Sequence, residues 1–302
     1  MKQQAIELFE QGVAIREIAR RLEKNYSTVH GWVKKHKDVA VVTTKRNPSI
    51  FVIPDTQVKH GISLGYIHDI GFYIAYKKPE IIQQIGDFYD MESLSSYDKG
   101  KKRAEGKRFI NDLNAGNKAL EILMGYINSV PNYKPRMVMT LGNHEQRIDR
   151  YAEDNPEWEG LIGTDKLAFQ EHGWEVYPFL KPVEICGIYF VHYLKSKMSS
   201  NALGGSAARR LDVMGDSYVM GHQQTLDVAM RKKPLSGKKQ IGIICGACYD
   251  HDEAYMGYQG NQHYRGALLL HNCHDGYATH TPIELEYMKQ FRKDHQKPYI
   301  EE

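Results

Sequence analysis

Residues 135–145 read PRMVMTLGNHE, an apolar, β-prone run that halts at a glycine and three polar side chains able to bind metal. The same design occurs twice upstream. IFVIPD (50–55) reads as a strand ending at Asp55, and PEIIQQIGD (79–87) as a strand ending at Gly86-Asp87. Between the three lie helical stretches, YIHDIGFYIAYKK (66–78) and AGNKALEILMGYINSV (115–130). Strands alternating with helices predict an α/β domain. Past residue 180 helices thin out. VEICGIYFVHY (183–193), SYVMGH (217–222), QIGIICGACY (240–249) and RGALLLHN (265–272) all read as strands, and a second, largely antiparallel layer is expected.

Two of these later strands also end in metal-capable residues, at His192 and at Gly221-His222. In open α/β sheets, ligands bind outside the carboxyl ends of the strands. A lone strand-end Asp is an ordinary turn-former, and a lone His an ordinary core residue. Five such ends facing one edge point to a shared site.

The order Asp55-Thr56-Gln57, Gly86-Asp87-Phe88-Tyr89-Asp90, Gly142-Asn143-His144-Glu145, His192, Gly221-His222-Gln223-Gln224 resembles the calcineurin-like metallophosphoesterase family, over about residues 49–285. The resemblance implies a two-layer β-sandwich flanked by helices and two divalent metal ions that activate water against a phosphate ester. It implies that Asp87 bridges the ions and that Asn143, His192 and His222 complete the second position. His144 corresponds to the family's general acid, which protonates the leaving oxygen. The glycines before Asp87, Asn143 and His222 are expected to permit tight turns beside the metals.

The sequence departs from the family at the first position. Gln57 and Gln224 stand where the family usually has histidines, leaving Asp55, Asp87 and two amides. Oxygen ligands favour Mn²⁺ foremost, or Mg²⁺, over Zn²⁺ or Fe, with the first position the weaker of the two. A catalytically dead first site is the alternative.

Residues 1–48 hold ten Lys/Arg against five Asp/Glu, whereas the rest of the chain is slightly acidic. A small basic head on a near-neutral body suggests a polyanionic partner. The head shows three short helical periods. Ala5, Ile6, Leu8 and Phe9 line the first, with Gly12 as its stop, and Ile15, Ile18, Ala19 and Leu22 line the second. Ser27 is the expected cap of the third, which buries Val29, Trp32 and Val33. This pattern resembles the helix-turn-helix modules of recombinases and phage regulators. The resemblance implies that Tyr26, Ser27, Thr28, His30, Lys34 and Lys35 face DNA. The expected division is a helix-turn-helix at 1–37, a linker at 38–48 and the phosphoesterase domain at 49–302.

No apolar run approaches the ~20 residues of a membrane span, and no signal-peptide pattern opens the chain. Four cysteines and many histidines suit a reducing cytoplasm. Cys245 and Cys248 have C-x-x-C spacing, with Cys273, His271 and His274 as further zinc-type residues, but these segments read as buried strands. The basic insert KGKKRAEGKR (99–108) is expected to overhang the metal edge, as a phosphate contact or a solvated loop. The expected function is a metal-dependent phosphoesterase acting on DNA, a nuclease or end phosphatase. A protein or nucleotide phosphatase with a localising head is one alternative, and a DNA-binding regulator with an inactive phosphoesterase fold is another.

Overall fold

The computed structural model describes residues 1–10, 13–40, 47–196, 201–253 and 256–296. The chain forms two compact units, Met1–Arg46 and Asn47–Glu302. No described helix is long and apolar enough to cross a membrane.

The first unit holds α1 (Lys2–Glu10), α2 (Ile15–Arg21) and α3 (Tyr26–Ala40). Helices this short are marginal alone, so a shared interior must hold them. Ala5, Ile18, Ala19, Val29 and Val33 form it, with Leu8, Phe9 and Leu22 half-buried around them. Trp32 was expected inside but also stays half-buried, because five small and medium side chains cannot enclose an indole. Ser27 does not cap α3. The Asn25 carbonyl accepts the N–H groups of Thr28 and Val29 at 3.0 and 3.2 Å, which places Ser27 in the first turn. The helix continues to Ala40, into the expected linker, while Gly12 and residues 41–46 lie outside the described residues.

In chain order, the second unit starts with β1 (Ile50–Ile53), α4 (Gly65–Lys77), β2 (Ile81–Gln84), α5 (Phe109–Asn128), β3 (Arg136–Thr140), α6 (Gln146–Asp154) and β4 (Glu175–Tyr177). Next come β5 (Val183–Ile185), β6 (Ile188–Val191), α7 (Ala207–Met214), β7 (Tyr218–Met220), β8 (Leu226–Lys232) and β9 (Lys239–Cys245). The last elements are α8 (Gly257–Gly260), β10 (Gly266–His274), β11 (Tyr277–Glu284) and α9 (Leu285–His295). It is a mixed α/β unit with two sheets, ordered β11-β10-β1-β2-β3-β4 and β5-β6-β7-β9-β8.

The period-two alternation of β1 shows how the layers divide. Ile50 and Val52 join Val138, Phe190, Val219 and Ile243 in one apolar layer drawn from both sheets. Phe51 and Ile53 point the other way, into a cluster with α4, α5 and α9. On the far side of the second sheet, Ala207 and Leu211 of α7 pack on Tyr218, Met220 and Ile244.

The expectation of a largely antiparallel second layer fails in two ways. Its centre, β6-β7-β9, is parallel, and only the rim strands β5 and β8 run antiparallel. The helix α7 between β6 and β7 is the crossover that parallel neighbours need. The RGALLLHN strand, β10, does not join that layer but pairs with β1 in the first sheet.

Register sets the site. Ile53, Gln84 and Met139 are level partners across β1, β2 and β3, and Val191, Met220 and Ile244 are level across β6, β7 and β9. The residues just beyond each row therefore leave both sheets along one edge. There the segment after β9 crosses between the sheets: Ala247 bridges to Asp55 and Arg265, and Cys248 N donates to the Asp55 carbonyl at 2.7 Å.

Candidate metal centre

The loops beyond β1 and β2 are tied to each other. The N–H groups of Thr56 and Gln57 both donate to the Asp87 carbonyl, at 3.0 and 2.9 Å. Left-handed φ falls on the polar residues themselves: Gln57 (+43°), Asp87 (+55°), His222 (+66°) and Gln224 (+59°). Such backbone persists in non-glycine residues only where the surroundings enforce it, and it concentrates at functional sites. Of the three glycines expected to turn the chain, only Gly86 has a left-handed φ (+101°). Gly142 and Gly221 serve close approach instead. A Cβ on Gly142 would lie 2.1 Å from Asp87 Oδ1, and one on Gly221 2.5 Å from Asp55 Oδ1.

Asp87, His192 and His222 offer ligand atoms within 4.8 Å of one another. His192 is buried between fixed partners. Its Nδ1 donates to the Ile85 carbonyl at 3.0 Å, which turns Nε2 toward Asn143 Oδ1 at 2.9 Å and Asp87 Oδ2 at 3.2 Å. Burial opposes charge on His192, but the adjacent Asp87 carboxylate pushes its pKa up to about 9. Burial would raise the Asp87 pKa, yet His144 and His192 hold it below the usual carboxylate range. His222 moves the other way, down to about 4, through burial and the charge of His192. The expected second position (Asp87, Asn143, His192, His222) is thus drawn together in space.

The first position is less even. Asp55 is fully buried; Oδ1 accepts the His222 N–H at 3.1 Å, while Oδ2 has no partner. Burial pushes its pKa up to about 6. Gln57 Oε1 is likewise buried and unpartnered. Gln224 differs, because its Oε1 accepts the Tyr249 hydroxyl at 2.8 Å. A carboxylate oxygen and an amide oxygen, both desolvated and lacking donors, are the groups a hard divalent cation would satisfy. The residues present fit such an ion. Asp55 and Gln57 offer it open oxygens, and Gln224 an oxygen already shared.

His144 lies beside this cluster, with its backbone N–H on Asp87 Oδ1 at 2.9 Å and its Nε2 3.6 Å from Asp87 Oδ2. Arg147 NH2, which can only donate, contacts Nε2 at 3.0 Å. The ring proton therefore sits on Nδ1, which donates to Asp90 Oδ1 at 2.8 Å. Burial counts against charge on His144, but the Asp87 carboxylate leaves its pKa raised.

Sequence reasoning assigned no role to Asp90, Glu145, Arg147 or Lys59. Glu145 accepts the N–H groups of Asp87, Tyr89 and Gly142 at 2.9, 3.0 and 2.8 Å, binding the loops after β2 and β3 into one piece. Lys59 joins Asp90 (3.6 Å) to Glu253 (2.6 Å). The spacing of Arg147, three residues after His144 at the start of a helix, was the available signal for that residue.

Gln57, Asp87, Asn143, His144, Arg147 and His222 line a cleft of about 640 Å³. The basic insert forms part of its wall through Lys101, Arg103 and Lys107. The insert is not merely solvated loop: Lys107 pairs with Glu92 at 2.8 Å, and Arg103 pairs with Asp98. The cysteines take no part. Cys245 and Cys273 lie in the layer between the sheets and Cys248 in the cluster under the helices, all as free thiols. Among the described residues, Asp87, His192 and His222 form the one His/Cys/Asp/Glu group with metal-binding spacing, so no cysteine zinc site is assembled. In the head, Ser27 and His30 are exposed and Thr28 is half-buried, while the side chains of Lys34 and Lys35 lie outside the described residues. Tyr26 is exposed and stacks on His30, with ring centres 5.6 Å apart.

Among known proteins, no curated protein matches the chain. Residues 1–45 match the family described as "Putative ATPase subunit of terminase (gpP-like)". The match ends before β1, so it bears on the head and leaves the metal-capable unit unassigned.

Proposed function

We propose that the chain is a divalent-metal-dependent phosphoesterase that acts on DNA, with Met1–Arg46 as its DNA-binding head. The observation that carries this reading is the pair of orphaned buried oxygens, Asp55 Oδ2 and Gln57 Oε1, at the edge that also holds Asp87, His192 and His222. Each unpaired polar atom costs about 1–3 kcal/mol, and a strained backbone adds to that. Such a cost is sustained where a ligand repays it. When bound, divalent cations in a site of this kind offset phosphate charge and make water nucleophilic at neutral pH.

The chain's own groups supply the rest. Asp87 has one carboxylate oxygen toward His192, and its carbonyl holds the Thr56 and Gln57 N–H groups, so it is the residue that would serve both positions. Asp90 holds the Nδ1 proton of His144 and keeps Nε2 turned into the cleft, where a proton on Nε2 can pass to a leaving oxygen. DNA as substrate is supported by the basic head, its likeness to a terminase subunit family and the lysines of the cleft wall. That likeness also supports a phage as the setting.

The test is turnover of an aryl phosphodiester by Mn²⁺-loaded protein, followed by a panel of blunt, nicked and 3′-phosphate DNA. Metal binding without turnover would favour a DNA-binding regulator. Turnover of aryl esters with every DNA substrate untouched would favour a phosphatase of other targets.

A further inference from the structure

Arg147 braces the Asp90–Met91 loop with one edge of its guanidinium and leaves the other edge nearly open. It follows His144 by three positions across the turn that leads into α6, where the Arg147 N–H donates to the His144 carbonyl at 3.1 Å, and both residues line the cleft. Its NH1 is saturated, donating to the Asp90 carbonyl at 2.8 Å and to Asp90 Oδ1 and the Met91 carbonyl at 3.3 Å. The other edge of the guanidinium, Nε and NH2, is the edge that grips an oxyanion with two parallel bonds. Within this protein Arg136 uses that edge on the Glu175 carboxylate, at 2.8 and 2.7 Å. In Arg147 the same edge has a single contact among the described residues, from NH2 to His144 Nε2 at 3.0 Å. Nε has no described partner.

We propose that Arg147 is the phosphoryl clamp of the cleft, an inference that rests on the phosphoesterase reading. NH1 stays fixed on the Asp90–Met91 carbonyls, and the Nε/NH2 edge takes two non-bridging oxygens of the substrate phosphate. In doing so NH2 leaves His144 Nε2. The contact that ties up Nε2 in the free protein is exchanged for substrate, so phosphate binding frees Nε2 to take a proton from water, which it then gives to the leaving oxygen. Lysine cannot replace this, since a point charge lacks both the fork and the second edge.

The experiment titrates full-length, Mn²⁺-loaded protein with inorganic phosphate by calorimetry, for wild type, Arg147→Lys and Arg147→Ala. Metal content and unfolding midpoint are measured on the same samples. The clamp requires phosphate affinity to fall about tenfold in Arg147→Lys and roughly a hundredfold in Arg147→Ala at unchanged metal content. Added guanidinium should restore part of the loss in Arg147→Ala. Phosphate affinity within about twofold of wild type in Arg147→Ala overturns the clamp. So does a loss of phosphate affinity that tracks loss of metal in both variants, which would make Arg147 a brace for the Asp90–Met91 loop. A wild type that holds Mn²⁺ but ignores phosphate overturns the phosphoesterase reading itself, and the variants are not needed to see it.

Discussion

Glu145 Oε2 accepts the backbone N–H of Asp87 at 2.9 Å, and Asp87 Oδ1 accepts the backbone N–H of His144 at 2.9 Å. The two acidic residues thus grip each other's loops reciprocally. Asp87 keeps its left-handed φ because both its carboxylate and its amide are held.

Glu145→Ala would leave three buried N–H groups, on Asp87, Tyr89 and Gly142, without an acceptor. Stability should drop by about 3 kcal/mol or more, with reduced Mn²⁺ uptake. Glu145→Gln keeps the shape and one oxygen and should lose about half as much. Urea unfolding with metal analysis checks both. A loss below about 1 kcal/mol in Glu145→Ala would mean the loops hold without it.

Asp87→Asn removes the charge that the proposed function has both metal positions share. Bound metal should fall, and turnover should drop at least tenfold on every substrate. Activity near the wild-type value would take Asp87 out of the bridging role.

His144→Ala should spare metal content and cut turnover by roughly 10²-fold on poor leaving groups. The loss should shrink for nitrophenolate, which departs without a proton. Equal losses on both would argue against proton donation by His144.

The two glutamines should behave differently. Gln57 Oε1 is free, whereas Gln224 Oε1 already accepts from Tyr249. Gln57→Ala should therefore weaken the more labile Mn²⁺ site further than Gln224→Ala, and Tyr249→Phe should tighten it by releasing the Gln224 oxygen. Gln57→His should move preference toward Zn²⁺ or Co²⁺. Equilibrium dialysis with each ion is the measurement, and equal effects of the two alanine variants would remove the distinction.

Removing residues 1–46 should leave aryl phosphodiester turnover intact while DNA affinity falls and its salt dependence flattens. Unchanged DNA affinity would assign the head to another partner.

The edge that gathers the polar residues was legible because the runs that form β1, β2 and β3 each stop just short of a polar residue, Asp55, Asp87 and Asn143. The parallel centre of the second sheet was not. Its strand β7 has three residues, all buried, so it shows no period and no direction. Ser27 misled because a hydroxyl one residue inside a helix looks like a cap in sequence. Glu145 was invisible in its role, since a carboxylate that accepts only backbone N–H groups leaves no partner residue to find. The difference between Gln57 and Gln224 depends on Tyr249, which lies in a later segment and meets Gln224 only in the folded chain.

The bridge between Asp55 and Ala247 has a bearing on how the protein is made. Asp55 follows the first strand of its unit, and Ala247 follows the ninth. During synthesis the early loops can knit together, but the edge cannot close until the segment after β9 has emerged and crossed to β1. Contacts so distant in sequence form slowly. Cation uptake, on the proposed reading, should therefore trail the collapse of the helices onto the first sheet, and an unfinished chain would hold no complete cation site.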